Sequence, residues 1–276
     1  MKKTFLLSCL MLAAMPVMAA YTGRVYVDKN KNGVFDPGEK TWAGIKVSDG
    51  LNVVETAADG SFTLPGHERE RFIFITTPSG YKTFNRHYHK IEEKQSGYDF
   101  GLMPYSGRIR KDGSHKYIHI ADTEIFNTEN HEDWVNNVRD YARNEQAAFI
   151  IHTGDICYEK GLKAHIKLMN TENMDCPVFY CIGNHDLVKG KYGEELFESI
   201  YGPVYYSFDA GNVHYIVTPM PGGDHAPGYT ADDVCRWLKN DLAHIRPGTP
   251  VVVFNHDLLT YEDAFIFKAR MREALI

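Results

Sequence analysis

Four apolar runs in this 276-residue chain end in side chains that can hold a metal or move a proton. Tyr117-Ile118-His119-Ile120-Ala121 runs into Asp122-Thr123-Glu124, and Ala148-Phe149-Ile150-Ile151-His152-Thr153 into Gly154-Asp155. Val178-Phe179-Tyr180 leads to Cys181-Ile182-Gly183-Asn184-His185-Asp186, and Val251-Val252-Val253-Phe254 to Asn255-His256-Asp257. Short apolar runs of this kind suit strands buried on both faces. In open α/β sheets ligands bind at the carboxyl ends of such strands. Asn184 can offer an oxygen to a metal, and His185 can carry a proton near neutral pH. One Asn-His-Asp alone reads as a polar turn. Four strands delivering oxygen or imidazole at their ends do not read as packing.

The series Asp122-x-Glu124, Gly154-Asp155, Gly183-Asn184-His185-Asp186 and Asn255-His256 resembles the calcineurin-like metallophosphoesterase family in motif order and spacing, over residues 115–276. The resemblance implies an α/β fold, a four-layer sandwich of two facing sheets flanked by helices. It implies hydrolysis of phosphomonoesters or phosphodiesters of small phosphorylated substrates at two divalent or mixed-valence ions (Mn, Fe, Mg or Zn). On that pattern Asp155 bridges the metals, Asp122 and Glu124 bind the first, and Asn184 and His256 bind the second. His185 stays free to bind phosphate and protonate the leaving group, with Asp186 a candidate to orient it. The family more often has His or Gln where Glu124 stands; a carboxylate favours hard metals, unless it turns away from the site. Gly154-Asp155-Ile156-Cys157-Tyr158 also resembles the purple acid phosphatase branch, in which the tyrosine is a ligand; Tyr158 is therefore a candidate ligand or a packed aromatic. The family's last motif, Gly-His-x-His, does not follow His256 before Ile276. That leads to the expectation of a C-terminally incomplete domain, ending in a helical segment over 261–276. The rival reading is a non-catalytic secreted or surface binding module with a degenerate phosphoesterase half.

The elements that would position these residues can be read from periodicity. Residues 131–146 form an amphipathic helix with Trp134, Val138 and Tyr141 on one face; Thr230 and Asp233 form a capping box ahead of Val234, Trp237, Leu238 and Leu242. Residues 204–208 and 213–217 read as a hairpin. His119 and His152 alternate into apolar strands and read as core, whereas His87 and His89 sit among Arg86 and Lys90 in what reads as a solvated loop.

Residues 21–103 read differently, as a small all-β sandwich. Short alternating runs at 23–27, 45–47, 52–56, 61–64 and 71–75 are separated by Asp49-Gly50 and Asp59-Gly60 turns. The segment resembles the β module that precedes phosphoesterase domains in secreted Bacteroides-type proteins. Within it, Asp28, Asn30, Asn32, Val34, Asp36 and Glu39, with Gly33, satisfy the twelve-residue calcium-loop pattern, Val34 through its carbonyl. A strand precedes the loop and no amphipathic helix flanks it. A structural calcium is expected rather than a sensor, the alternative being an Asx-rich turn. Residues 104–115 read as a linker and 116–276 as the phosphoesterase domain.

The first twenty residues, basic at Lys2 and Lys3, apolar from Phe5 to Met18 and small at Ala19-Ala20, read as a signal peptide. Cys9 follows too short an apolar segment for the lipoprotein reading to be preferred. The expectation is a secreted or periplasmic protein without a transmembrane segment. The formal charge of −6 includes no basic patch of the kind that binds nucleic acid. Cys157, Cys176, Cys181 and Cys235 match no disulfide framework, and oligomeric state is not legible.

Overall fold

The computed structural model describes residues 20–95, 97–105 and 108–257. The expected leader, save its last residue, and the expected helical segment over 261–276 lie outside the described residues.

Eight short strands form the first unit: β1 (Tyr21–Val27), β2 (Lys46–Ser48), β3 (Val53–Glu55), β4 (Ser61–Leu64), β5 (Phe72–Ile75), β6 (Tyr81–Thr83), β7 (Tyr88–Lys90) and β8 (Phe100–Pro104). They make two sheets, ordered β4-β1-β8-β6 and β3-β2-β5-β7, antiparallel except where β1 lies parallel to β8. Val25, Phe62, Leu64, Phe100 and Leu102 of one sheet meet Val47, Ile73 and Ile75 of the other in a closed core. All four residues of β5 are buried, because the strand has apolar neighbours on both faces. Ile73 and Ile75 point into this core. Phe72 and Phe74 point the other way, with Tyr88, into the core of the second unit.

That second unit alternates strands and helices: β9 (Tyr117–Ile120), α1 (Glu132–Asn144), β10 (Phe149–His152), α2 (Tyr158–Leu168), β11 (Val178–Tyr180), a 3₁₀ turn at Asn184–Asp186, α3 (Glu195–Tyr201), β12 (Tyr206–Ala210), β13 (Val213–Val217), α4 (Ala231–Leu242) and β14 (Val251–Phe254). β11-β10-β9 is a parallel sheet; β12-β13-β14 is mixed, an antiparallel hairpin with β14 parallel to β13. The sheets face each other through aromatic rings. Phe179 stacks on Phe208 at 3.7 Å, and Phe149 meets Phe208 and Tyr215 edge-on at 5.0 Å. The expected α/β sandwich with a preceding all-β unit is therefore what the chain forms.

Three local expectations fail. The buried face of α1 is Val135 and Ala142 with Val138 partly covered, whereas Trp134 and Tyr141 are 39% and 59% exposed. His119 is exposed on the edge strand β9, its Nε2 2.8 Å from Thr153 Oγ1, while His152 is buried as expected. His87 is half-buried rather than solvated: its ring lies 4.6 Å from Tyr206, and its Nε2 is shut off from solvent without a hydrogen-bond partner. Burial pushes its pKa down to about 3, so the ring is neutral.

The two units are joined by polar contacts as well as by Phe74, whose ring lies 6.3 Å from Trp237 of α4. Thr76 Oγ1 meets Ser207 Oγ at 2.8 Å, and Ser207 donates to Asp241 of α4. His214 sits beside them, its Nδ1 2.6 Å from Asp209 and its Nε2 2.7 Å from Asp241. Lys46 of the first unit reaches Asp209 at 3.6 Å. Burial alone would lower the pKa of His214, but the two carboxylates outweigh it and hold the imidazole above its ordinary 6.5. A group raised in this way stabilises the fold fully below its unfolded pKa and ceases to do so as pH rises through its folded pKa. The melting-temperature gap between the parent and His214→Gln should therefore be widest below pH 6.5 and narrow as pH rises above it. A gap that is constant or widens with pH would contradict this charge balance.

Candidate metal centre

The carboxyl ends of β9, β10, β11 and β14 come together at one rim. Ligand atoms of Asp122, Asp155 and His256 lie within 4.8 Å of one another, one group of this kind among the described residues. His256 Nδ1 donates to the Thr153 carbonyl at 2.8 Å, which turns Nε2 toward Asp155 Oδ2 at 3.4 Å. Burial would lower the pKa of His256, but the hydrogen bond and charge of Asp155 lift it to about 9. Asp155 in turn stays below its ordinary value despite its burial, held there by His256 and the His185 backbone N–H. The group favours positive charge, and hard oxygens with one imidazole nitrogen are the donors that Mn, Fe, Mg or Zn accept.

Backbone strain concentrates here. Asp122, Glu124, Asp155, Cys157 and Tyr158 all have positive φ, from 46° to 80°. Such values in non-glycine residues cost about 1–3 kcal/mol each and persist only where surrounding contacts enforce them. The enforcing contacts run between the β10 and β11 loops. Asp155 Oδ1 accepts the His185 N–H at 3.1 Å. Asp186 returns the contact, accepting from Cys157 N and from Gly183 N at 2.9 Å each. The loops pass so closely that a Cβ on Gly183 would collide with Asp155 N and Oδ1, and one on Gly154 with Gly183 N.

Asp186 is therefore buried and occupied with loop backbone, and the partner of His185 is Asp224. His185 Nδ1 donates to Asp224 Oδ2 at 2.9 Å, and this hydrogen bond is the main reason the imidazole's pKa is raised. Sequence reasoning missed Asp224 because its loop has no periodicity. The available signal was Gly222-Gly223 before an acid: a Cβ on Gly223 would strike the Asn184 backbone, and Asp224 N donates to Asn184 O at 3.1 Å.

The other candidates spread out. Asn184 opens the 3₁₀ turn beside Asp155. Glu124 lies outside the converging group, its carboxylate against the Cys157 thiol, which burial and the surrounding acids push up to about 12. Tyr158 is 50% exposed, its ring 5.3 Å from that of His185, and its phenol is held above its usual pKa rather than ionised. Cys157, Cys176, Cys181 and Cys235 are buried and none is in a disulfide among the described residues. In the β unit, Asp28 accepts from Asn32 N and Gly33 N, Glu39 from Lys29 N and Asp36 N, and Asn30 and Asn32 donate to Asp36. The calcium-pattern residues thus form one loop closed by its own hydrogen bonds. A cleft of about 610 Å³ lies elsewhere, between the β6–β7 stretch that carries Lys82 and His87 and the β11 segment with Phe179.

A family model described as calcineurin-like phosphoesterase matches residues 115–270, more than half of the chain. The chain belongs to this family. A second model, the N terminal of calcineurin-like phosphoesterase, matches residues 29–105, so the β unit belongs to the same architecture. No curated protein matches the chain. Calcineurin-like phosphoesterases are generally hydrolases that use divalent metals, and the Asp122–Asp155–His256 group is a candidate site for one here. Among the described residues no helix is long and apolar enough to cross a membrane.

The geometry separates two acids that sequence alone would pair with His185. Asp186→Ala should destabilise the fold by about 1–3 kcal/mol for each backbone N–H it leaves unsatisfied. Asp224→Asn, at a partly exposed loop, should melt within about 0.5 kcal/mol of the parent. Chemical denaturation of the two variants checks this. The reverse ranking would return the orienting role to Asp186.

Proposed function

We propose that the protein hydrolyses small phosphomonoesters or phosphodiesters at a binuclear metal site on the rim formed by β9, β10, β11 and β14. The convergence of Asp122, Asp155 and His256 carries this reading. Asp155 is the shared ligand, Asp122 serves one ion, and Asn184 and His256 serve the other. A bound metal pair supplies Lewis acidity toward the phosphoryl oxygens and a hydroxide at neutral pH. The chain's own residues do the rest. Imidazole and amide groups bind the ester, and His185 Nε2, free because Nδ1 is tied to Asp224, donates a proton to the departing oxygen. Asp224 keeps that ring in one tautomer and orientation.

Asp155→Ala should abolish metal binding and hydrolysis together. His185→Ala should keep the metals and slow turnover by about 10²–10⁴-fold. Metal analysis alongside hydrolysis of an alkyl phosphate ester with added manganese checks both; loss of metal in His185→Ala would refute its role. Glu124, turned to Cys157, is the one observation that favours the non-catalytic binding reading. Bound metal without hydrolysis of any phosphoester would decide for it.

Two further parts of the reading concern setting. The basic and then apolar first twenty residues support export to the periplasm or beyond. The β unit, taken as residues 21–103, carries a structural calcium on Asp28, Asn30, Asn32, Asp36 and Glu39, with Val34 offering its carbonyl. Calcium should then raise the melting temperature of the full chain over that in chelator, by mass action. Asp28→Ala with Glu39→Ala should remove the rise; equal melting of the parent in both conditions would end the proposal.

A further inference from the structure

Glu194 and Glu198 are both buried, 0% and 4% exposed, in the phosphoesterase half. The cation they share comes from the other half. Arg71, at the start of β5, donates through Nη2 to Glu194 Oε1 and to Glu198 Oε1, both at 2.8 Å. Its guanidinium lies 4.5 Å from the Tyr192 ring, and Tyr192 itself donates to Glu198. Glu194 uses both carboxylate oxygens to accept the Gly228 N–H, at 3.1 and 2.9 Å, while Gly193 N donates to Ala226 O at 2.8 Å. The loop that carries Asp224 is therefore held on one side by Asn184 O and on the other by Glu194. Tyr229 closes its base by donating to Met220 O.

We propose that Arg71 of the β unit is a positioning residue for the His185–Asp224 pair, acting through Glu194 and the loop of residues 220–229. The proposal rests on the reading of His185 as proton donor given above. Without Arg71, two buried carboxylates face each other with no cation between them, and a buried acid in that position takes up a proton or moves toward water. Either response loosens Glu194 from Gly228 and lets Asp224 drift from His185. The β unit then supplies a charge on which the catalytic geometry depends.

A proton donor matters for an alkoxide leaving group and little for a nitrophenolate, and the test uses that contrast on the full chain. Arg71→Ala should lower kcat for an alkyl phosphate ester by about 10–100-fold, part of the roughly 10²–10⁴-fold a general acid supplies. The nitrophenyl ester, KM and metal content should hardly change. Asp224→Asn should show the same selectivity, and the double variant should be no worse than the poorer single one. Arg71→Lys should recover most of the loss. Arg69→Ala, which breaks a different ion pair between the two units, Arg69–Asp233 at 2.8 Å, should leave both esters unaffected. If Arg71→Ala does not fold, Glu194→Gln is read in the same way. Equal loss on both esters, loss of metal, or additive effects with Asp224→Asn would overturn the role of Arg71 and leave His185 untouched. An Asp224→Asn variant indifferent to the leaving group would overturn the His185–Asp224 reading itself.

Discussion

The crossing of the β10 and β11 loops is the constraint from which the rest of the rim follows. Each loop places a carboxylate against the backbone of the other: Asp155 on His185 N, Asp186 on Cys157 N. Hydrogen bonds to charged groups contribute about 1.5–3 kcal/mol each. That is the scale needed to offset the positive φ angles of Asp155, Cys157 and Tyr158. The approach is possible because Gly154 and Gly183 bring no Cβ to the crossing. It holds Asp155 beside Asp122 and His256 rather than pointing into solvent. A parallel sheet brings the strand ends to one edge, and the reciprocal contacts then hold the side chains at that edge.

The second dependence is between units. β5 buries one face in each core, so the boundary between the halves is a shared strand rather than a hinge. Around it sit Lys46 on Asp209, Arg69 on Asp233 and Arg71 on Glu194 and Glu198, each a base from the β unit meeting an acid of the phosphoesterase half. Of these, the pairs of Arg71 with the buried Glu194 and Glu198 contribute little net stability but are costly to break singly, whereas Arg69 is exposed. Among them, Arg71 on Glu194 is the pair that reaches the loop between Met220 and Tyr229, through Gly228.

What could be read from the sequence was what repeats or runs. Parallel strands, fully buried in β10 and β11, are largely apolar runs, so β9, β10, β11 and β14 and the residues at their ends were legible, as was the Thr230–Asp233 capping box that opens α4. The direction of a side chain off an irregular loop was not. Asp186 and Asp224 are both acids near His185, and only the path of the Gly222-Gly223 loop decides which one reaches it. Glu124 follows Asp122 in the motif, yet its carboxylate meets the Cys157 thiol. The face of α1 misled because aromatic size suggested burial, whereas Val135 and Ala142 are the residues the helix buries. His87 looked solvated beside Arg86 because contacts from β12 and β11 are invisible in a local window.

The central claim is that Asp155 stands between metal ions at this crossing. Crystals grown with manganese and measured for its anomalous scattering test it most directly. The account predicts two peaks about 3.5–4 Å apart, with Asp155 reaching both, Asp122 one, and Asn184 and His256 the other. Manganese bound elsewhere, or a single ion that Asp155 does not touch, would contradict it.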